Sequence, residues 1–202
     1  MSNEKHIKDL KEIRSLMEQS TRFLSLSGLS GVMAGVYSLI GVYFVLNFSP
    51  EPLDLEFADN LLHDSFYFIV AIAVMLFATV TGVFLTVRSA KKNDQSLFTK
   101  SAFRMLAYIG FPLLVGGIFC MAMYMHGYTL LIAPAMLIFY GLGLINGSKY
   151  TLNDVRTLGI VFVSLGTVSL FFLNHGIYFW ALGFGVLHIV YGLAMWLRYE
   201  KK

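Results

Sequence analysis

Charge is scarce in this chain of 202 residues: 13% are Asp, Glu, Lys or Arg, against 57% hydrophobic. A water-soluble domain carries about 25% charged residues, so the polar surface that would cover a soluble fold is missing. Cysteine is nearly absent too, and the single thiol, Cys120, excludes an internal disulfide or a dithiol redox pair. No Walker loop, dinucleotide fingerprint, nucleophile elbow or CxxC pair occurs, which removes the motif-based routes to nucleotide hydrolysis, hydride transfer and acyl transfer. The string GLGLINGSKY (141–150) contains Gly-Ser-Lys but opens no strand–loop–helix unit, so it does not form a phosphate loop. Nothing points to nucleic-acid binding, and no cofactor is expected.

The charges that are present are segregated. Residues 23–48, 65–87, 105–148 and 157–197 contain no Asp, Glu, Lys or Arg. A helix needs about 20 apolar residues to cross a hydrocarbon core roughly 30 Å thick, so these windows accommodate one, one, two and two crossings. The prediction is an all-α polytopic membrane protein with six transmembrane helices near 23–47, 65–88, 104–125, 128–147, 156–173 and 177–198. They form a bundle over 23–198, preceded by a cytoplasmic segment 1–22 and followed by a tail 199–202. The first apolar run is longer than a signal-peptide core and no small-residue cleavage site follows it, so it is expected to be retained as the first span.

All fifteen Lys and Arg residues fall on one side of this arrangement. Lys5, Lys8, Lys11, Arg14 and Arg22 precede span one; Arg88, Lys91, Lys92, Lys100 and Arg104 lie between spans two and three. Lys149 and Arg156 separate spans four and five, and Arg198, Lys201 and Lys202 follow span six. The opposite loops have no basic residue, and the first of them, SPEPLDLEFADNLLHD (49–64), carries five acids. The positive-inside rule then puts both termini in the cytoplasm of a bacterial-type inner membrane. Within 1–22, Ile7, Leu10, Ile13 and Met17 recur at helical spacing, in phase with Leu24. Lys8/Glu12 and Arg14/Glu18 are opposite-sign i,i+4 pairs. The segment reads as an amphipathic helix that lies on the membrane or docks a partner.

Short pieces recur along the chain. FYFIVAIAVMLF (66–77) aligns with IYFWALGFGVLH (177–188), placing Tyr67 on Tyr178 and Phe68 on Phe179, and FYGLGL (139–144) aligns with VYGLAM (190–195). Arg22, Arg104 and Arg156 stand at the cytoplasmic starts of the odd spans. The pattern predicts three tandem helical hairpins. The last of these, LGIVFVSLGTVSLFFLNHGIYFWALGFGVLHIVYGLAMW (158–196), resembles the short hairpin repeat of HdeD-type acid-resistance membrane proteins. The likeness covers about a fifth of the chain and rests on glycine spacing and apolar character. It implies a six-span inner-membrane protein built of hairpins and carries over no site residue. The chain also resembles six-span bacterial inner-membrane proteins more broadly, and that likeness implies no activity.

Ser27, Gly31 and Gly35, Ala181 and Gly185, and Gly143 and Gly147 form small-xxx-small ladders that let helices approach closely in lipid. Pro112 and Pro134 fall in the two spans of the middle hairpin, where kinks are expected. His188 lies near the middle of span six, and an ionisable residue at that depth is by default a functional candidate. No acid or base shares the hydrocarbon windows with it. The expectation is a neutral His188 bonded to a Ser, Thr or Tyr of another span; the competing reading puts it on a substrate or proton path.

His63, His126 and His175 collect at the outer face with Asp59 and Asp64 close in sequence, a donor set with the chemistry of a zinc-type site if they converge. A simpler reading takes His126 and His175 as ends of spans three and five, each followed by a glycine that stops the helix in the left-handed conformation. CMAMYMH (120–126) has soft ligands, but Met121 and Met125 share one helical face while Met123 does not, as ordinary apolar filling would have it.

Three functions follow. The chain is a non-enzymatic membrane component in stress response, sensing or regulation; or a small transporter or channel with a path near His188; or an intramembrane metal-dependent hydrolase using the outer histidines. The expected partners are the lipid bilayer, a cytoplasmic or membrane protein engaged by 1–22, and a second copy of the chain.

Overall fold

The computed structural model describes residues 27–48, 61–92 and 99–201; the N-terminal segment 1–22 and Asp59 lie outside them. Every regular element among the described residues is helical. They are α1 (Gly28–Phe48), α2 (Leu61–Lys92), α3 (Lys100–Met125), α4 (Ile132–Gly147), α5 (Asn153–Ser169), α6 (Gly176–Trp180) and α7 (His188–Met195). Single 3-10 turns, Thr129–Leu131, Ser148–Tyr150 and Leu173–His175, connect them. A π-helical stretch, Ala181–Leu187, joins α6 to α7, and a second, Trp196–Glu200, extends α7, so that 176–200 form one continuous last helix. Apolar runs of this length fold as helices because a helix satisfies every backbone donor and acceptor within the segment.

Among the described residues five helices are long and apolar enough to cross a membrane: Gly28–Phe48, Ile69–Lys92, Lys100–Met125, Thr129–Tyr150 and Leu173–Arg198. Their outward faces carry large apolar side chains, such as Ile69 at 65% and Phe111 at 72% exposure. Such a surface suits a hydrocarbon environment. The described residues are all helical, and their long apolar helices are compatible with a membrane protein.

Glycine decides which helices approach most closely. A methyl group at Gly141 on α4 would lie 2.6 Å from the carbonyl of Gly159 on α5, and one at Gly159 would lie 2.7 Å from the carbonyl of Gly141. The last helix meets α1 the same way, a methyl at Gly192 falling 2.6 Å from the Gly28 carbonyl and one at Gly35 falling 2.5 Å from that of Gly185. Gly143 and Gly147 receive Ile109 of α3. Consecutive helices α1 and α2 pack together, with the Tyr37 and Thr81 hydroxyls 3.1 Å apart, and so do α3 and α4. The most extensive packing of α5, however, is against α4 rather than against the last helix, its partner in the third expected hairpin. The reciprocal Gly141–Gly159 contact is the physical reason. The main buried cluster, Leu137, Leu144, Val155, Leu158, Phe162 and Met195, accordingly sits between α4, α5 and the last helix.

Several expected boundaries shift. The fifth helix is Asn153–Ser169 rather than 156–173, so it begins and ends earlier. Glu200, expected in the tail 199–202, lies in the last helix, where its carboxylate accepts hydrogen bonds from the Gly28 backbone N–H and the Ser27 hydroxyl. It thus caps the start of α1 with the end of the chain. Pro134 produces no interior kink, because it occupies the first turn of α4, where an N–H has no helical acceptor anyway; Pro112 does lie inside α3. Gly127 takes the left-handed conformation (φ 78°) after α3, as a helix stop requires. Gly176 does not. Its φ of −51° is helical, and α5 has already ended at Ser169. His175 therefore opens the last helix rather than ending the fifth one.

Candidate functional site

The polar centre of the bundle is a pair of side chains from two helices. His188 is the first residue of α7 and is 8% exposed. Its Nε2 lies 2.7 Å from the hydroxyl of Tyr140 on α4, and its Nδ1 lies 3.2 Å from the carbonyl of Gly183. A carbonyl can only accept, so Nδ1 carries the proton and Nε2 accepts from the Tyr140 O–H. Both ring nitrogens of a neutral imidazole are thereby satisfied inside the protein.

The π-helical stretch Ala181–Leu187 makes this geometry. Its wider turn aligns the Gly183 carbonyl with a side chain five residues on, and such turns frequently mark functional positions. A methyl group at Gly183 would meet Leu137 Cδ2 at 2.5 Å, so a larger residue there requires that side chain to shift. Aromatic rings enclose the pair. Tyr140 lies 4.9 Å from Phe162 and 5.0 Å from Phe184, and the His188 ring is 5.3 Å from Phe162 and stacks on Phe184 at 5.9 Å. Phe162 is completely buried. The arrangement holds the His188 ring against Phe162 and Phe184 with both nitrogens taken; it offers that ring no free nitrogen for a ligand or metal.

The outer-end candidates are dispersed over different elements. His126 caps the C-terminus of α3 and is exposed. His175, also exposed, lies in the 3-10 turn before α6, and that turn touches the one at Thr129–Leu131. The loop 170–175 borders an open depression of about 390 Å³. His63 and Asp64 belong to the first turn of α2, a helix whose extensive packing is against α1. Among the described residues no three His, Cys, Asp or Glu side chains come together as a metal site would need. In the soft-ligand stretch, Met121 and Met125 are exposed on the outer surface of α3 and the Cys120 thiol lies 4.0 Å from the Ile132 carbonyl.

Tyr140, Phe162 and Phe184 were not singled out by the sequence. One signal did point to Tyr140: in the aligned pieces FYGLGL and VYGLAM, Tyr140-Gly141 matches Tyr191-Gly192. In both copies the glycine makes the closest helix contact, and the tyrosine packs against the buried cluster.

Among the described residues the fold is one of long apolar helices able to cross a membrane, with Tyr140 and His188 as a polar pair between them. No family model, curated relative or solved structure matches the chain.

Proposed function

We propose that the chain is a six-span, non-enzymatic component of a bacterial-type inner membrane, with both termini in the cytoplasm, serving stress response, sensing or partner regulation. The observation that carries this reading is the closed state of His188: its two nitrogens are taken by Tyr140 and Gly183, and aromatic rings surround it. A translocation path needs polar groups open to water near mid-membrane, whereas a packed scaffold needs a satisfied interior. For the sixth span, α5 supplies 17 residues, about 26 Å of helix at 1.5 Å per residue. That is near the thickness of a hydrocarbon core. Arg198 pairs with Asp154 at 2.8 Å and Glu200 caps α1, which gathers the starts of α1 and α5 and the end of the last helix at one end of the bundle, and the Lys and Arg distribution assigns that end to the cytoplasm. The likeness of 158–196 to HdeD-type hairpins favours acid stress as the setting, and residues 1–22 are the natural docking element for a partner.

Water access tests the reading. In a background with Cys120→Ser, a thiol placed by His188→Cys should resist membrane-impermeant thiol reagents from both sides. Labelling there, together with ion or proton flux in proteoliposomes, would replace the scaffold by a transporter or channel. Lys92→Cys should label only from the cytoplasmic side and His126→Cys only from outside. A deletion strain that survives acid and envelope stress like its parent removes the stress-response role.

A further inference from the structure

At the end of the bundle where α3 begins, a second cluster has the chemistry of an anion site. The Thr99 hydroxyl accepts from the Ala102 N–H at 3.1 Å and starts α3 at Lys100. One turn into the helix, Arg104 and Tyr108 stand at i and i+4, on a common face. The Tyr108 ring lies 5.0 Å from that of Tyr150, which closes the 3-10 turn Ser148–Tyr150 and packs on Ala102 and Met105. Gly143 and Gly147 bring α4 down onto Ile109, so this turn, with Lys149 at its centre, is held against the start of α3.

Arg198, at the same end of the bundle, is paired with Asp154. Arg104 and Lys149 are both exposed, and neither has a carboxylate partner among the described residues. Tyr108 is 45% exposed, and Phe111, Val115 and Ile118 continue an open apolar surface along the same face of α3. Two exposed cations without a carboxylate partner among the described residues, two phenol rings and an apolar helix face match the parts of a phospholipid: phosphate oxygens for the guanidinium fork and ammonium, acyl chains for the helix.

We propose that Arg104, Lys149 and the paired Tyr108 and Tyr150 rings bind the headgroup phosphate of an anionic phospholipid in the cytoplasmic leaflet. The inference rests on the inside-facing orientation, and the thiol-labelling arms above test that orientation separately. More than one cation faces the headgroup, so a lipid with net negative charge is preferred to a zwitterionic one.

Native mass spectrometry of the full chain in detergent, titrated with phosphatidylglycerol or phosphatidylcholine, tests it. The wild type should retain phosphatidylglycerol preferentially. Arg104→Gln and Lys149→Gln should each lower that retention about fivefold, the effect of one basic residue at an anionic membrane surface. Arg88→Gln, an identical charge change on the exposed face of α2, should leave it unaltered. Equal losses from Arg88→Gln and Arg104→Gln, equal retention of the two lipids, or full competition by soluble glycerophosphate would each overturn the site.

Discussion

Replacing Tyr140 by Phe removes one oxygen and keeps the ring that packs at 4.9 Å on Phe162 and 5.0 Å on Phe184. The change therefore isolates the 2.7 Å hydrogen bond to His188. Side-chain hydrogen bonds between membrane helices average about 0.6 kcal/mol and reach roughly 1.7. A buried acceptor stranded without its donor costs about 1–3 kcal/mol. His188 is 8% exposed, so Tyr140→Phe should destabilise by about 1–2 kcal/mol. His188→Phe strands the Tyr140 hydroxyl in the same way. The double variant strands neither group, so its loss should fall short of the sum of the single losses by on the order of 1 kcal/mol. The assay is reversible unfolding in mixed micelles, followed by circular dichroism and analysed as a double-mutant cycle. Additivity within about 0.5 kcal/mol would refute the reasoning, because it would mean that the two side chains do not depend on each other.

Other positions make sharper contrasts. Gly141→Val and Gly159→Val each push a side chain into the facing carbonyl and should cost about 1–3 kcal/mol; Gly117→Ala, with nothing within 4 Å, should be tolerated, all three read by thermal melting in detergent. Glu200→Ala uncaps α1 and should cost about 1 kcal/mol, seen as faster hydrogen exchange at the Gly28 amide and the first turn of α1 with the rest of the bundle unchanged. Gly127→Ala forces an L side chain to φ 78° and should cost about 1–2 kcal/mol. Gly176→Ala, at φ −51°, should cost less in the same melting assay, and the opposite order would reverse the assignment of the two His-Gly turns.

Those two turns show where sequence reasoning stops. HisGly occurs at 126–127 and at 175–176 in the same kind of apolar setting, and local chemistry makes both a helix C-terminus. The structure uses only the first that way. At the second, α5 ends at Ser169 without a left-handed residue, and Gly176 is buried against Ala133 in the following helix. Helix ends in lipid are set by where the neighbouring helix packs, which a local motif does not encode. Coarser features were legible because they rest on many residues at once: the segregation of charge fixes where long helices run, and glycines spaced by four mark contacts such as Gly31 and Gly35 with the last helix.

His188 illustrates the intermediate case. A regular helix of 3.6 residues per turn puts His188 on the face of Ala181, Gly185 and Gly192, the face that meets α1. Its backbone does lie there, the carbonyl 3.4 Å from where a Gly31 methyl would sit. Its imidazole reaches α4 instead, to a tyrosine 48 residues away in sequence. Each residue added to a turn rotates the following face by about 100°, so the π-helical stretch before His188 breaks the extrapolation from periodicity. What survives that break is the repeated Tyr-Gly pair. Gly141 and Gly192 draw in α5 and α1, and Tyr140 and Tyr191 stand beside them at the buried cluster. A closely approaching helix needs a residue without a side chain, and the neighbouring position then faces the interior that this approach encloses. The pair therefore marks the polar centre more reliably than the histidine does, because it is tied to backbone approach and not to the phase of a single helix.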